Sequence, residues 1–336
     1  MTSALALTMG EPAGIGGEIA LMSWSKRAGG VPPFFVLDDP GRLEALAAKI
    51  GLPTPIAAIA NPEEAAARFA DALPVLPVKL AKTSTPGTLD PANAGAVLEA
   101  IRRAVDLVRA GRARAVVTNP IHKHALYQAG FNHPGHTEYL AELASENGRT
   151  PTPVMMLACP ELKVVPVTIH LALKRAISDL TSEMIVETGE ILARDLKTRF
   201  GKTNPRIAVA GLNPHAGESG ALGKEDDEIV RPAVEALKKL GIDATGPWAP
   251  DSMFHADARA TYDAALCMYH DQALIPIKTL DFHGGVNVTL GLPFIRTSPD
   301  HGTALDIAGT GKANPASLIA ALRLADAMAE SSAGRA

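Results

Sequence analysis

Residues 5–19 read LALTMGEPAGIGGEI, an apolar run followed by a glycine-rich segment and a second apolar run. The first run, 5–9, has the length of a buried strand, and the glycine-rich segment after it leads into a predicted helix. A strand, a tight loop and a helix in this order are typical of an α/β fold. We therefore predict an α/β architecture, and the same alternation recurs along the chain.

Short apolar runs alternate with longer amphipathic segments, which indicates a largely parallel sheet flanked by helices. Further strands are predicted at 34–37, 115–118, 154–158, 164–169, 207–210, 264–269 and 286–290. Helices are predicted at 91–110, 139–145, 182–200, 228–240 and 315–329, with Asp90, Thr137 and Asn314 as candidate N-terminal caps.

The segment 159–163 breaks the alternation, because it is too short to hold a crossover helix between its flanking strands. A connection of this length suits a hairpin, which pairs strands antiparallel. The sheet is therefore predicted to be mixed at this point. We place residues 131–285 in a central domain, and residues 1–130 with 286–336 in a second domain.

Composition limits the function classes. The chain has 336 residues, enough for about two domains, and 47% apolar against 20% charged residues excludes a disordered or fibrous protein. With 32 basic and 36 acidic residues, it has no broad positive charge for nucleic acid or anionic membrane. The two cysteines, Cys159 and Cys267, lie in apolar runs, and no run is long enough to span a membrane. We expect a cytoplasmic protein that binds neither nucleic acid nor a membrane.

Three histidines follow predicted strands: His170, His215 and His270. Ligands of open α/β sheets bind at the carboxyl ends of strands, and imidazole nitrogen suits zinc or cobalt. A single histidine in such a place is usually a hydrogen-bonded structural residue. Three at equivalent positions make a metal site and a structural role equally good interpretations.

Four further segments carry polar or glycine-rich patterns. The loop at 10–18 lacks the dinucleotide-binding fingerprint GxGxxG, so a structural turn and a ligand loop remain equally good readings. The segment HPGHTE at 133–138 can bind an anion at a helix start, although a capping turn is the simpler reading. Lys278, Asn287 and Arg296 could hold a phosphate or carboxylate, or be solvated. The segment 300–315, DHGTALDIAGTGKANP, could wrap a nucleotide.

These segments together resemble one family. GEPAGIG at 10–16, GHTE at 135–138, YHDQ at 269–272 and VNVTLGLPFIRTS at 286–298 are similar to motifs of the 4-hydroxythreonine-4-phosphate dehydrogenase (PdxA) family. The likeness covers nearly the whole chain. The segment 300–315 also resembles the cofactor loop of isocitrate and isopropylmalate dehydrogenases, whose fold the family shares. One departure is Gly17, where the family commonly has proline, and it affects only local rigidity.

The resemblance implies two α/β/α domains with the active site in the cleft between them, in a homodimer whose subunits share each site. It implies that His170, His215 and His270 bind one divalent metal, zinc, magnesium or cobalt. The implied substrate contacts are His136, Thr137, Lys278, Asn287 and Arg296. The implied NAD or NADP contacts are Gly14, Gly16, His301, Gly302, Asp306, Gly309 and Gly311. Asp251 and Asp271 are candidate carboxylates for orienting groups or accepting a proton.

The implied reaction is oxidation of 4-phosphooxy-L-threonine at C3, followed by decarboxylation, in vitamin B6 biosynthesis. Related enzymes that oxidise 4-phospho-D-threonate or 4-phospho-D-erythronate are the alternative, because the motifs do not distinguish an amino group from a hydroxyl at C2. The phosphate-binding residues disfavour an uncharged dihydrodiol. A non-catalytic phosphometabolite-binding protein or an acyltransferase is disfavoured by the three histidines together with the cofactor loop.

Overall fold

The computed structural model describes residues 3–133 and 135–334. The strands in this part of the chain are β1 (Leu5–Thr8), β2 (Phe34–Asp38), β3 (Ile56–Ala58), β4 (Leu73–Pro77), β5 (Val116–Thr118), β6 (Val154–Cys159), β7 (Leu162–Thr168), β8 (Arg206–Ala210), β9 (Asp243–Trp248), β10 (Ala264–Tyr269), β11 (Val286–Leu290) and β12 (Arg296–Pro299). No helix in it combines the length and the apolar character that crossing a membrane requires.

The α-helices of the described residues are α1 (Gly16–Ser25), α2 (Pro40–Lys49), α3 (Ala65–Arg68), α4 (Ala94–Arg109), α5 (Lys123–Gln128), α6 (His136–Leu143), α7 (Leu173–Asp179), α8 (Ser182–Arg199), α9 (Arg231–Lys239), α10 (Ala256–Arg259), α11 (His270–Leu280) and α12 (Ala316–Ala333). Two predicted caps are confirmed, since Asp90 and Asn314 each accept a hydrogen bond from the backbone N–H two residues further on.

The chain forms two compact units, within Met1–Pro153 and Leu292–Glu330 for the first and within Val154–Gly291 and Ser331–Ala336 for the second. These bounds differ from the predicted ones at two internal places, and also after Glu330, where the chain is assigned to the second unit. Residues 131–153 lie in the first unit, because Leu140 and Ala141 of α6 join its hydrophobic core. Residues 286–291 lie in the second unit, where β11 pairs with β6.

The first unit has a parallel sheet in the order β3-β4-β2-β1-β5-β12. Helix α4 presents Val97, Ala100, Ile101 and Ala104 to the core, at the three- and four-residue spacing of one helical face. In a parallel sheet all the carboxyl strand ends lie along one edge. The loops after β1, β2 and β5 therefore lie at the same edge.

The second unit has a mixed sheet in the order β11-β6-β7-β10-β8-β9. The predicted hairpin is confirmed: β6 and β7 are antiparallel, and Cys159 pairs with Leu162 at its end. Strand β11 is antiparallel to β6, whereas β7, β10, β8 and β9 are parallel to one another. The predicted α/β class with mixed, largely parallel pairing is confirmed.

Candidate active site

A buried arginine lies at the start of β12 in the first unit. Arg296 is 3% exposed, and its Nη2 and Nε atoms donate hydrogen bonds to Thr118 Oγ1 at 2.6 and 3.1 Å. Burial lowers the pKa of the guanidinium to about 10, so the side chain is still charged at neutral pH. A desolvated positive charge of this kind favours an anionic ligand.

His136 opens α6 and lies in the positive field of Arg296 and Lys123. Burial, with those two cations, holds the pKa of His136 well below its usual range. The ring is therefore neutral at pH 7, and its Nε2 atom is buried with no hydrogen-bond partner among the described residues. Because a neutral imidazole can donate from this nitrogen, His136 and Arg296 suit a phosphate group.

Two details of this cluster differ from the sequence prediction. Gly135, not Thr137, is the N-terminal cap of α6, because the helix begins at His136 and Thr137 is its second residue. Lys123, the first residue of α5, was missed by the sequence analysis. Only the fold brings its side chain next to Gly135 at the start of α6. A Cβ on Gly135 would lie 3.2 Å from Lys123 Nζ, which places this amine against the start of α6.

The glycine-rich loop after β1 packs directly against the segment that follows β12. The Ile15 N–H donates to the Thr303 carbonyl at 3.0 Å. A Cβ on Gly14 would lie 2.9 Å from the Thr303 oxygen, and a Cβ on Gly16 would lie 2.7 Å from the Met9 oxygen. Backbone packing therefore requires both glycines, and their contact with a cofactor stays a prediction.

Glu18 of α1 holds the predicted cofactor loop. Its fully buried carboxylate accepts hydrogen bonds from the Gly309 N–H at 2.8 Å and the Ala313 N–H at 3.2 Å. In the same loop Gly309 and Gly311 have φ values of +70° and +77°, which favour glycine. Gly302 and Asp306 are exposed on it. Glu18 thus fixes the loop at Gly309 and Ala313, whereas Gly302 and Asp306 are accessible to solvent.

Replacing Glu18 by alanine leaves two backbone N–H groups unpaired, the buried one of Ala313 and the half-buried one of Gly309. At about 1–3 kcal/mol for each, we expect the free energy of unfolding to fall by about 2–6 kcal/mol in urea denaturation. Glu18→Gln keeps the side-chain volume and one acceptor oxygen, so its free energy of unfolding should fall by less than that of Glu18→Ala. Equal stability of Glu18→Ala and the natural protein would show that the loop does not depend on this carboxylate.

Five more buried polar atoms of the first unit lack a hydrogen-bond partner among the described residues: Thr8 Oγ1, Ser23 Oγ, Asn119 Oδ1, His122 Nδ1 and His301 Nε2. His301 uses its other ring nitrogen on the Gly302 carbonyl at 3.0 Å. Nearby, burial raises the pKa of Glu11, whose carboxylate accepts from the Ala13 N–H. Buried polar groups without partners are costly. The first unit thus presents donors and acceptors that a polar ligand such as a dinucleotide would satisfy.

The second unit brings two of the three predicted metal ligands together. His170 follows β7 and His270 follows β10, and their ring centroids are 5.6 Å apart. The Nδ1 atom of His270 lies 2.7 Å from Asp271 Oδ1. His215 does not join this pair: within residues 3–133 and 135–334, no three His, Cys, Asp or Glu side chains are grouped to hold a metal.

The loop of His215 is held by buried side chains that the sequence analysis missed. Asp226 accepts hydrogen bonds from the backbone N–H groups of Leu212 and Asn213 at 2.7 and 3.0 Å. Gln272 accepts from Met268 N–H and donates to the Gly211 carbonyl, both at 2.7 Å. His170 and His215 have φ values of +51° and +53°, which are unusual for residues other than glycine. At His215 the hydrogen bonds from Leu212 and Asn213 to Asp226 hold the adjoining backbone in place.

The other predicted residues of the second unit are distributed along three elements. Asp251 is exposed on a short turn, 250–252, that packs against the turn containing His215. Asp271 is 71% exposed beside His270. Lys278 lies near the end of α11, and Asn287 lies within β11. Their roles toward a ligand stay predictions.

Comparison with known proteins defines the class. Residues 31–325 match the model of the family described as "Pyridoxal phosphate biosynthetic protein PdxA". A protein of Bradyrhizobium diazoefficiens named 4-hydroxythreonine-4-phosphate dehydrogenase is 59% identical over 97% of this chain and 96% of its own. One of Methylorubrum populi with the same name is also 59% identical, over 97% and 94%.

Among solved structures, 4-hydroxythreonine-4-phosphate dehydrogenase from Klebsiella pneumoniae has a TM-score of 0.87 and 39% identity, covering 97% of this chain and 99% of its own. The protein is therefore an α/β oxidoreductase of the dehydrogenase class, and dehydrogenases of this class use a nicotinamide cofactor. It belongs to the PdxA family of pyridoxal phosphate biosynthetic proteins.

Proposed function

We propose that the enzyme oxidises 4-phosphooxy-L-threonine at C3, with NAD⁺ or NADP⁺ as hydride acceptor. The products are 2-amino-3-oxo-4-(phosphooxy)butanoate, NAD(P)H and a proton. The keto acid then loses CO₂, because its ketone accepts the electron pair of the breaking bond, and 3-amino-2-oxopropyl phosphate remains. Relatives with 59% identity that carry the corresponding name support this substrate over the phosphorylated sugar acids.

The observation that carries the proposal is the polar cluster of the first unit, in which buried Arg296 and neutral His136 lie beside the exposed Lys123. Arg296 supplies a fixed charge for the substrate phosphate, His136 a donor at Nε2, and Lys123 a second charge. Thr137, one residue into α6, adds a hydroxyl and a helix-start N–H. An uncharged substrate would not match the positive charge of Arg296 and Lys123.

His170, His215 and His270 are the residues that would hold a divalent metal. Imidazole donors fit zinc or cobalt better than magnesium. When bound, such a metal supplies the charge that lowers the pKa of the substrate hydroxyl. Asp271 accepts from Nδ1–H of His270, which leaves the Nε2 lone pair free for ligation.

The remaining polar residues of the second unit have roles in binding and proton transfer. We assign Lys278 and Asn287 to the polar groups of the substrate, as a point charge and an amide respectively. Asp251, exposed on the turn beside that of His215, is the better placed carboxylate to take the hydroxyl proton, since Asp271 is engaged with His270.

The cofactor is proposed to lie on the first unit, along His301 and the segment 302–311, in which Gly302 and Asp306 are exposed. His301 Nε2 is buried and has no hydrogen-bond partner in the part of the chain that the structure describes, and exposed Asp306 can bind a ribose hydroxyl. The close backbone packing at Gly14 and Gly16 keeps the loop after β1 beside this segment.

The phosphate requirement tests the proposal. With 4-hydroxy-L-threonine in place of its phosphate ester, kcat/KM should fall by about 10³-fold, since loss of two or three charge-assisted hydrogen bonds costs about 1.5–3 kcal/mol each. The measurement is NAD(P)H formation at 340 nm for both compounds. Equal kcat/KM values would show that the enzyme does not recognise the phosphate, and this would contradict the proposed substrate.

We also propose that the active form is a homodimer in which the metal site is shared. The described chain pairs only two of the three histidines, and large apolar side chains are exposed next to both of them. Leu171 and Leu173 follow His170, with exposures of 46% and 57%, and Ile275, 64% exposed, lies on the helix that begins with His270. Exposed apolar groups in one area are typical of an interface.

A charged residue in this area should separate the subunits. We expect Leu173→Glu to convert a dimer into a monomer in sedimentation velocity and to abolish turnover, because burying a carboxylate in an interface is costly. Leu240→Glu is the matched control, since Leu240 is 55% exposed at the end of α9, and it should remain dimeric and active. A monomeric natural protein with full activity would contradict the shared site.

A further inference from the structure

The first unit has a cavity whose lining residues are different from the proposed substrate and metal residues. The cavity, of about 560 Å³, lies between α2 and the segment 79–86, which follows β4. It is at the carboxyl ends of β2 and β4, where ligands of parallel sheets bind. Its volume lies within the usual range for a small-molecule site.

The cavity is lined by four cations, Arg42, Lys49, Lys79 and Lys82, against one carboxylate, Asp39. Asp39 is engaged by the backbone N–H groups of Arg42 and Leu80, both at 3.2 Å. Single surface lysines are ordinarily solvated, but a cluster that lines one cavity creates a local positive potential.

The charges of these cations are not equally available. Arg42 is neutralised by the buried Asp38, with Nη2 and Nε at 2.8 and 3.0 Å from its two oxygens. Lys82 forms a long ion pair with Asp90 at 3.5 Å. Lys49 and Lys79 make no ion pair with any residue in the described part of the chain. Two unmatched ammonium groups therefore face this cavity.

The cavity adjoins the predicted cofactor loop. Pro86 lies against Gly309, where a Cβ would be 2.8 Å from the proline Cβ, and the same Cβ would be 3.3 Å from Lys49 Nζ. The next residue, Gly87, donates its N–H to the Ala13 carbonyl of the loop after β1 at 2.8 Å. An anion in the cavity is therefore within reach of both glycine-rich segments.

We propose that Lys49 and Lys79, assisted by Lys82, bind a phosphate of the nicotinamide dinucleotide in this cavity. The chemistry is recognition of a phosphate oxyanion by ammonium groups, whether it belongs to the 2′-phosphate of NADP⁺ or to the pyrophosphate common to both dinucleotides. The inference rests on the proposed use of NAD(P)⁺.

Titration calorimetry of NADP⁺ and NAD⁺ binding to the full chain tests it without reference to turnover. The variant Lys49→Met/Lys79→Met removes both charges and keeps side-chain length, and Lys238→Met/Lys239→Met in α9 is the control with equal charge change. All four lysines are exposed, so the fold should be retained.

We expect the Kd of NADP⁺ to rise by about 10- to 100-fold in the first variant and to remain unchanged in the control, with a weaker effect at high salt. A rise for NADP⁺ alone identifies the 2′-phosphate, and an equal rise for both dinucleotides identifies the pyrophosphate. Unchanged binding of both overturns the inference while leaving the proposed function intact. A natural protein that binds neither dinucleotide overturns both.

Discussion

Replacing His215 by alanine is expected to lower kcat/KM by about 10³-fold or more. His215 is a proposed ligand of the metal, whose charge would supply several kcal/mol of stabilisation to the substrate oxygen, and about 1.4 kcal/mol corresponds to a factor of ten. The measurement is NAD(P)H formation at saturating zinc or cobalt, together with metal content after dialysis.

The control for this experiment is His283→Ala, an exposed histidine of the same unit that has no proposed role. It should keep the metal content and the rate of the natural enzyme. Full activity of the metal-stripped natural enzyme would contradict the metal proposal. A His215→Ala variant that binds metal normally and turns over normally would place His215 outside the site.

Replacing Arg296 by alanine is the second large change, and it acts through binding. Truncating one partner of a buried charge pair costs about 2–5 kcal/mol, so kcat/KM for the phosphorylated substrate should fall by about 10²- to 10³-fold. The KM for NAD(P)⁺ should change little, because Arg296 is proposed to contact only the substrate.

Arg296→Lys separates the charge of this residue from its shape. It keeps a cation but lacks the planar group that bonds Thr118 and a phosphate together, so its KM should lie between those of the natural enzyme and Arg296→Ala. Circular dichroism is the control for folding, and each variant should give the spectrum of the natural enzyme. An equal rise in KM for substrate and for NAD(P)⁺ would contradict the assignment of Arg296 to the phosphate.

Much of the fold is visible in the sequence because apolar runs mark the central strands. The predicted strands at 5–9, 154–158 and 264–269 match β1, β6 and β10 to within one residue. Strand β12 was missed because its sequence, RTSP, is polar although every residue is buried. Its polar atoms bond within the fold, as Thr297 does with the Ala321 carbonyl. Hydrophobicity alone does not reveal such a strand.

The other missed strands have different causes. Strand β4, LPVLP, contains two prolines, which argue against a strand when the tertiary context is unknown. Strands β3 and β9 lie at the ends of their sheets and are partly exposed, so they lack the continuous apolar pattern of buried strands. Edge strands, and interior strands rich in proline or polar residues, are therefore the parts of this fold that a single sequence describes least well.

The residues of the candidate site likewise include some that the sequence reveals and some that only the fold reveals. Histidines directly after strands, and polar residues within motifs, can be found from the chain alone. Lys123, Glu18, Asp226 and Gln272 could not be, because each acts on residues distant in sequence: Glu18 on Gly309, and Gln272 on Gly211. The lysines of the cavity beside α2 likewise come from separate segments that only the fold brings together.

The most direct test of the central claim is a comparison of two substrates. Purified enzyme with a divalent metal and NAD⁺ or NADP⁺ is given 4-phosphooxy-L-threonine or 4-phospho-D-threonate at equal concentration, and NAD(P)H formation is followed at 340 nm. We expect a clear preference for the amino acid, lost on addition of a chelator and restored by metal. A preference for the threonate, or no reaction with either compound, would contradict the proposed function.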